Sequence, residues 1–292
     1  MKILVFGSNG QVGRSIRDVE NTHFGKFSLT FFSKNELDIS DEKLCREVLL
    51  RERPSLIINA AAYTLVDNAE SDYENANLIN NIAVTNIANI CKELDIFLIH
   101  YSTDYVFDGN KKSAYTEEDA TKPKSVYGKS KLNGEEGIIK SDCKYIIFRT
   151  SWVFSQYGTN FLKTILNLSQ HKKNISVVND QYGCPTFAKD IAIATSKVIP
   201  FISNEKYVGI YNYCGNYSCS WYEFAEKIIA SNKNSSDFDI KLKQIVSEEY
   251  ITKAPRPYNS KLDCKKFNKT FGETFTYIDE AIRIVTQKLK KQ

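Results

Sequence analysis

A doubly wound α/β fold, built on a parallel sheet with a smaller C-terminal lobe, is what this sequence predicts, and three observations predict it. Short β-branched or aromatic runs alternate with longer stretches of helical spacing through the first half of the chain, the pattern of strands wound with helices. The first run, Ile3-Leu4-Val5-Phe6, passes directly into Gly7-Ser8-Asn9-Gly10-Gln11-Val12-Gly13, a glycine-rich turn that opens a helix. Beyond about residue 153 the composition shifts, and short elements separated by turn residues replace the regular alternation.

Taken in order, the apolar runs at 2–6, 27–32, 55–59, 96–101 and 144–149 are the predicted strands. Each is too short for a helix, and most end in a polar or glycine turn. Between them, residues 11–20, 41–52, 74–94 and 126–140 carry helical spacing and good helix formers, with Asp41 and Ser125 as N-caps. The second half reads as a helix over 161–171, a short strand over 175–178, a turn-rich loop over 180–185 and a helix over 188–200. A strand over 209–213, a helix over 221–231, a loop-rich stretch over 232–260 and a terminal helix from about Tyr277 follow. The division expected is a nucleotide-binding unit over 1–153, completed by parts of 187–215, and a second lobe from 154–186 with 216–292. In such sheets ligands bind beyond the carboxyl ends of the strands. Gly7, Ala60 to Ala62, Thr103 and Trp152 all follow predicted strands, so they should converge on one crevice.

Composition narrows the partners. With 292 residues, 42% of them hydrophobic, the chain can bury a sizeable core. A net charge of +4, spread along the chain, suits an anionic small molecule and falls short of the clustered basic surface that nucleic acid requires. The densest basic run, Lys288-Leu289-Lys290-Lys291, reads as a helix end. Seven cysteines without a Cys-x-x-Cys, and three histidines without metal spacing, argue against a disulfide framework and against a metal site. That usage fits a reducing cytoplasm. His100 lies inside an apolar run and reads as a core histidine. The four apolar residues after Met1-Lys2 are far too few for a secretory leader or a membrane span.

Glycines at 7, 10 and 13 allow a tight turn, close backbone approach to a pyrophosphate and tight helix–strand packing, the Rossmann-type dinucleotide pattern. The helix that starts near Gln11 then aims free N–H groups at the anion. An acidic residue after the second strand would hold a ribose 2′-hydroxyl, but the run Thr30-Phe31-Phe32 leads into Ser33-Lys34-Asn35. A hydroxyl and a cation there suit a 2′-phosphate and favour NADPH over NADH, the alternative being a merely solvated Lys34. Asp38, shortly after, could contact the adenine side instead.

The chemistry rests on three residues. Tyr127 and Lys131, four apart, share one helix face after the fourth strand, where they can meet Thr103. Reduction of a ketone by hydride leaves an alkoxide that needs a proton. A phenol with a pKa near 10 is a slow donor near neutral pH, and a nearby ammonium draws that pKa down. Lys131 can also bond the nicotinamide ribose, and Thr103 the developing oxyanion.

These residues resemble the extended short-chain dehydrogenase/reductase superfamily and, within it, the dTDP-4-dehydrorhamnose reductase family. The motifs run in order across nearly the whole chain: GSNGQVG (7–13), NAAAYTLVDNAE (59–70), HYSTDYVFDG (100–109), VYGKSK (126–131), FRTSWVF (148–154), NDQYGCPT (179–186) and RPYNSKL (256–262). The resemblance implies NAD(P)H-dependent reduction of the 4-keto group of a dTDP-linked 6-deoxy sugar, yielding dTDP-L-rhamnose. It implies that Thr103, Tyr127 and Lys131 are catalytic, and that Gly10, Gln11, Val12, Asp38, Ile39, Ala62, Tyr63, Thr64 and Tyr101 line the cofactor, to which the glycine turn and the strand ends add Gly7, Asn9, Ser33, Lys34, Ala60 and Ala61. Thr103, Asp104 and Trp152 face the sugar nucleotide, and Arg256 is a candidate for its diphosphate. The bland readings are a core aromatic for Trp152 and a surface salt bridge for Arg256.

Two positions are diagnostic. Tyr63 stands where the family often has histidine, which alters contacts around the nicotinamide without removing the chemistry. Tyr105 stands where related nucleotide-sugar dehydratases need a glutamate, so dehydration is disfavoured. Two other readings stay open. One is a reductase or epimerase of another 6-deoxy-4-keto sugar nucleotide. The other is a silent regulatory subunit, against which the intact Tyr127 and Lys131 argue. A homodimer is an assembly the reading allows.

Overall fold

The computed structural model describes residues 1–232 and 240–291. Six strands, β1 (Lys2–Phe6), β2 (Ser28–Phe32), β3 (Leu56–Asn59), β4 (Phe97–Thr103), β5 (Tyr145–Thr150) and β6 (Gly209–Asn212), form one sheet in the order β6-β5-β4-β3-β1-β2. Every neighbouring pair in it is parallel. The predicted strands are all present, and β4 runs two residues past the expected Tyr101 to end on Thr103.

A parallel sheet must be covered on both faces, which is why its strands read as unbroken apolar runs. Alternate residues of each strand serve opposite cores. Ile3, Val5, Leu56, Ile58 and Ile99 pack with Ile16 and Ile191 of the helices Gln11–Asp18 and Ala188–Val198. Leu4, Phe6, Ile57 and Leu98 pack with Val48 and Ile87 of the helices Glu42–Glu52 and Ala83–Glu93. A third core joins Phe154, Leu162, Ile165, Phe224 and Ile282.

Local chemistry sets the helix starts. The Asp41 carboxylate accepts from the Leu44 N–H at 2.9 Å, and the Ser125 hydroxyl accepts from the Gly128 N–H at 3.0 Å. Each satisfies a backbone donor that the first helical turn leaves free. The stretch predicted as one helix over 74–94 is instead Tyr73–Asn77 and Ala83–Glu93, joined by a wider turn over Leu78–Ile82. That turn carries a buried Asn80 into the site described below.

The loop-rich reading of 232–260 needs correction. Residues 233–239 lie outside the described residues, but Lys241–Ile245 is a strand, paired in parallel with Asn174–Val178. Its sequence, Lys-Leu-Lys-Gln-Ile, buries only Ile245 fully and leaves three of its five residues exposed, so it lacks the apolar run that marked the central strands. The helix Lys265–Phe271 was also unforeseen. It holds to the sheet through Phe267 and Phe271, one turn apart, in an otherwise polar segment. The turn-rich loop over 180–185 includes a two-residue pairing of Tyr182–Gly183 with Cys219–Ser220. Among the described residues no helix is long and apolar enough to cross a membrane, and no group of ligating side chains could hold a metal ion.

Candidate active site

The strand ends do converge. Phe6 pairs with Asn59, Asn59 with His100, and Thr103 with Thr150, so Gly7 and Ala60 leave the sheet side by side, and Asp104 and Ser151 leave it together three residues further along β4 and β5. At Gly7 the backbone takes φ +73°, and a Cβ would overlap the backbone of Ala60 and Ala61. A Cβ at Gly13 would overlap the Gly7 carbonyl. Glycine is therefore required twice for packing.

Gly10 is different: a Cβ there would touch only the Gly7 carbonyl, at 3.3 Å, and its outer side is open. The helix Gln11–Asp18 begins at Gly10 with no side-chain cap and no acidic residue in its first turn. Its free N–H groups face that opening, as a pyrophosphate requires. The turn fits a dinucleotide. Asn9 is exposed, and Val12 packs on the core. The Gln11 side chain is committed elsewhere: its Nε2 donates to the Val153 carbonyl at 3.3 Å, and its Oε1 accepts from Ser155 and Asn160. Only its backbone N–H remains for an anion.

At the end of β2 the Ser33 N–H and hydroxyl both donate to Glu36 Oε2 at 2.7 Å. Those bonds hold the Glu36 carboxyl below its usual range. Lys34 is exposed and lies 3.8 Å from Asp38, whose Oδ1 is taken by the N–H and hydroxyl of Ser40. Ile39 is buried beneath. The sequence reading credited Ser33 and Lys34 with a free hydroxyl and a free cation. The hydroxyl is held, and a second cation was missed: Arg17 lies over the Phe31 ring at 4.0 Å and acts on Glu36. The signal was an arginine one turn beyond the glycine motif.

Ala60, Ala61, Ala62 and Tyr63 are half-buried along the crevice, and Thr64 is exposed. Asn80 fixes this segment. Its Oδ1 accepts from the Tyr63 N–H at 2.9 Å, and its Nδ2 donates to the Tyr63 carbonyl and the Ser130 hydroxyl, each at 3.0 Å. The Tyr63 hydroxyl donates to Asp72 at 3.0 Å.

The helix Val126–Ser141 presents Tyr127 and Lys131 to the end of β4. A carboxylate oxygen of Glu70 accepts from the Val126 N–H at 2.8 Å, securing the helix start. A Cβ at Gly128 would overlap the Tyr105 carbonyl, so the helix can approach this closely only with glycine there. Burial pushes the Tyr127 phenol well above its ordinary pKa, the Thr103 hydroxyl draws it back, and Asp104 and Tyr105 push it up again. Thr103 donates to Asp104 Oδ1 at 2.9 Å, and the Tyr105 ring stands edge-on to Tyr127 at 5.6 Å. Asp104 is buried, its Oδ2 has no partner, and burial raises its carboxyl to about 6.

Two expectations are corrected here. Lys131 was expected to hold the Tyr127 pKa down, but its ammonium nitrogen lies 2.7 Å from the Tyr101 carbonyl and 3.1 Å from His100 Nε2. Burial, opposed by Glu135, lowers Lys131 itself to about 8. Tyr101 was expected to line the cofactor, yet its side chain is in the core, with its hydroxyl 2.7 Å from Thr195 Oγ1 and its ring stacked on Phe148. Only the Tyr101 carbonyl reaches the site.

A cavity of about 790 Å³ opens beside these groups, lined by Val66, Tyr105, Phe161, Leu168, Trp221 and Arg256 among others. That volume and mixed apolar and polar lining suit a small organic ligand. Trp152 adopts the left-handed backbone, with φ +48°. Its ring lies on Trp221, the ring centroids being 3.3 Å apart and the planes 6° from parallel. A Cβ at Gly183 would overlap the Trp152 indole. Arg256 reaches the cavity but is salt-bridged to Asp67 at 2.6 Å, with Nη1 donating to the Tyr105 hydroxyl at 3.3 Å. Asp67 and Trp221 were not singled out from sequence. The signal for Trp221 was its place just after Ser220, which with Glu223 forms a capping box.

The family model described as RmlD substrate binding domain matches residues 1–291. The chain is 39% identical over 279 residues to dTDP-4-dehydrorhamnose reductase of Salmonella typhimurium, covering 93% of this chain and 92% of that one. It is 37% identical over 262 residues to the spore coat polysaccharide biosynthesis protein SpsK of Bacillus subtilis, covering 89% and 88%. Among solved structures, a dTDP-4-dehydrorhamnose reductase from Clostridium acetobutylicum superposes with a TM-score of 0.92 at 33% identity, covering 99% of this chain and 100% of that one. The Bacillus anthracis dTDP-4-dehydrorhamnose reductase, in complex with NADP, superposes with a TM-score of 0.90 at 32% identity, covering 98% and 99%.

Proposed function

Because the chain belongs to the dTDP-4-dehydrorhamnose reductase family, we propose that it reduces the 4-keto group of dTDP-4-dehydrorhamnose to give dTDP-rhamnose, with NADPH as reductant. The observation that carries the reading is the placing of Tyr127 and Lys131 against the last residues of β4, Thr103 and Tyr101, with the Tyr105 ring joining Tyr127 to the cavity.

In this reading NADPH, when bound, supplies the hydride to carbon 4. Its pyrophosphate would be held by the free backbone N–H groups of Gln11 and Val12, the Gly10 N–H being given to the Gly7 carbonyl, and its adenosine end by Ser33, Lys34, Asp38, Ile39 and Arg17. Asn9 and Ala60 to Thr64 line its length, and Lys131 holds the nicotinamide ribose. Thr103 Oγ1, turning its one proton from Asp104, donates to the oxygen that becomes an alkoxide, and Tyr127 gives that oxygen its proton. A phenol kept protonated by burial is the right resting form for that acid role. Asp104 and the paired indoles of Trp152 and Trp221 face the sugar. Arg256 meets the diphosphate, exchanging Asp67 for a phosphate oxygen. The sheet unit, 1–153 with parts of 187–215, takes the cofactor, and 154–186 with 216–292 takes the sugar nucleotide.

Oxidation of NADPH followed by absorbance, with dTDP-4-dehydrorhamnose as substrate, tests the reading. Turnover yielding dTDP-rhamnose is expected. A 4-epimeric product such as the 6-deoxytalose would move the assignment to another reductase, and binding without turnover would favour a silent regulatory subunit.

A further inference from the structure

Three thiols meet at a place that the mechanism above does not use. Cys184 follows the short strand Tyr182–Gly183, Cys214 follows β6, and Cys264 precedes the helix Lys265–Phe271. All three line a cavity of about 300 Å³ together with Lys261 and Asp263. Cys184 and Cys214 are buried, whereas Cys264 is only partly covered. The sulfurs of Cys214 and Cys264 lie 3.4 Å apart, and the Cys214 N–H donates to the Cys264 sulfur at 3.2 Å. Bonded sulfurs stand about 2.0 Å apart, so a movement of about 1.4 Å, shared by two side chains, would close the pair.

A partly exposed thiol against a buried one is the arrangement in which an accessible sulfur reacts with an oxidant and its neighbour resolves the product. We propose that Cys214 and Cys264 are a modification site for hydrogen peroxide, closing reversibly into a disulfide that disturbs the Trp152–Trp221 stack. The Cys264 sulfur attacks one peroxide oxygen, the S–O bond forming as the O–O bond breaks. The second oxygen leaves with the Cys264 proton as water. The Cys214 sulfur then attacks the Cys264 sulfur, the S–S bond forming as the S–O bond breaks, and the hydroxyl leaves with the Cys214 proton as a second water. Two thiols have then lost two electrons and two protons, and the peroxide has gained them. A dithiol reductant reopens the bond by exchange. Bonds to Cys184 and Cys264, together with burial, push the Cys214 thiol well above its ordinary range, which reserves the first attack for Cys264.

The route from the pair to the indoles is short. Cys214 precedes Gly215, whose N–H donates to Thr186 Oγ1 at 3.2 Å, and a Cβ at Gly215 would overlap the Pro185 carbonyl. The Thr186 N–H donates to the Trp152 carbonyl at 3.1 Å. The Cys184 carbonyl accepts from the hydroxyls of Ser151 and Thr186, each at 2.9 Å. Trp152, with its left-handed backbone, is therefore held by the segment against which Cys214 and Gly215 pack. Drawing Cys214 toward Cys264 pulls on that segment.

The test treats the reduced full chain with equimolar hydrogen peroxide, without sugar nucleotide or cofactor. The two tryptophans of the chain are Trp152 and Trp221, so intrinsic fluorescence reports on the stack alone. The count of free thiols in denaturant should fall by two from seven, with Cys214 and Cys264 peptides linked in the mass map. Tryptophan emission should change in step, and dithiothreitol should reverse all three effects. Cys264→Ser should abolish the linkage and the emission change, while Cys184→Ser should keep both. A Cys184–Cys214 linkage would overturn the proposal, as would a sulfinic acid at Cys264 beside a free Cys214, or a Cys214–Cys264 linkage that leaves the emission unchanged. Should Cys264→Ser fail to fold, the wild-type mass map and its reversal by dithiothreitol decide alone. Because no substrate is present, the outcome is separable from failure of the reductase assay.

Discussion

Burial holds the Tyr127 phenol protonated in the free enzyme. Tyr127→Phe removes the proton while preserving the ring and its edge-on contact with Tyr105. The rate of keto-sugar reduction should fall by on the order of 10²–10⁴, with NADPH affinity nearly unchanged, as measured by stopped-flow and titration. Thr103→Val should cost less, on the order of 10–10³, because it removes one contact to the oxyanion. Asp104 makes a pH-dependent contribution whose sign can be worked out. Its folded pKa is raised to about 6, so between about 4 and 6 the native chain binds more protons than the unfolded one. Stability therefore falls as pH rises through that window, by roughly 3 kcal/mol in all. Asp104→Asn should melt higher than wild type near pH 7, and the gain should vanish toward pH 4. A gain of equal size at both pH values would disprove the assignment.

At the scale of elements, the site depends on places where backbones approach closely. The strand pairing of Tyr182–Gly183 with Cys219–Ser220 brings a glycine flat against the Trp152 indole, and the following helix, Trp221–Ser231, supplies the second indole of the stack. Trp152 holds an unfavourable left-handed backbone there, so the surrounding packing must over-determine it. Gly183→Ala forces a Cβ into the ring and should lower stability by about 1–3 kcal/mol, the usual cost of overpacking. Calorimetric titration with dTDP should show weakened binding, while NADPH affinity stays at the wild-type level. Equal loss of both would place the stack outside the sugar-nucleotide site. The first helix and β2 present the other element-level test, because Arg17 and Lys34 flank the Ser33–Glu36 turn. Arg17→Ala should reduce the kcat/KM advantage of NADPH over NADH by about 1.5 kcal/mol, on the order of tenfold. Lys34→Ala, removing a more exposed cation, should reduce it less.

The whole molecule divides its cores as it divides its work. Two cores cover the faces of the sheet, and Phe161, Ile165 and Trp221 of the third line the cavity together with Val66 and Tyr105. Arg256, from the far end of the chain, crosses this gap to Asp67 and Tyr105. Arg256→Ala should therefore weaken dTDP binding several-fold more than NADPH binding. Thermal-shift titration of each ligand separately would measure it, since a ligand bound only by the native chain raises the melting temperature with its affinity. An equal loss for both ligands would show that Arg256 secures the fold across the gap rather than the diphosphate.

Sequence alone determined the sheet, because a parallel strand buried on both faces must be an apolar run and a phosphate turn must be glycine-rich. It also located Thr103, Tyr127 and Lys131, since spacing on a helix and a position at a strand end are local properties. Local sequence also carried the caps at Asp41 and Ser125. It did not reveal the strand Lys241–Ile245 or the helix Lys265–Phe271, whose apolar positions are few and gain meaning only from the surfaces they meet. Nor could it say that the Gln11 and Tyr101 side chains turn away from the crevice, that Glu36 holds the Ser33 hydroxyl, or that Trp221 lies on Trp152. His100 is the clearest case. An imidazole in an apolar run satisfies the pattern of a core residue, and only the packing of β3, β4 and the helix Val126–Ser141 sets it between Asn59 and Lys131. Hydrogen-bond partners distant in sequence are chosen by where the chain returns in space, and that choice is made by the tertiary fold.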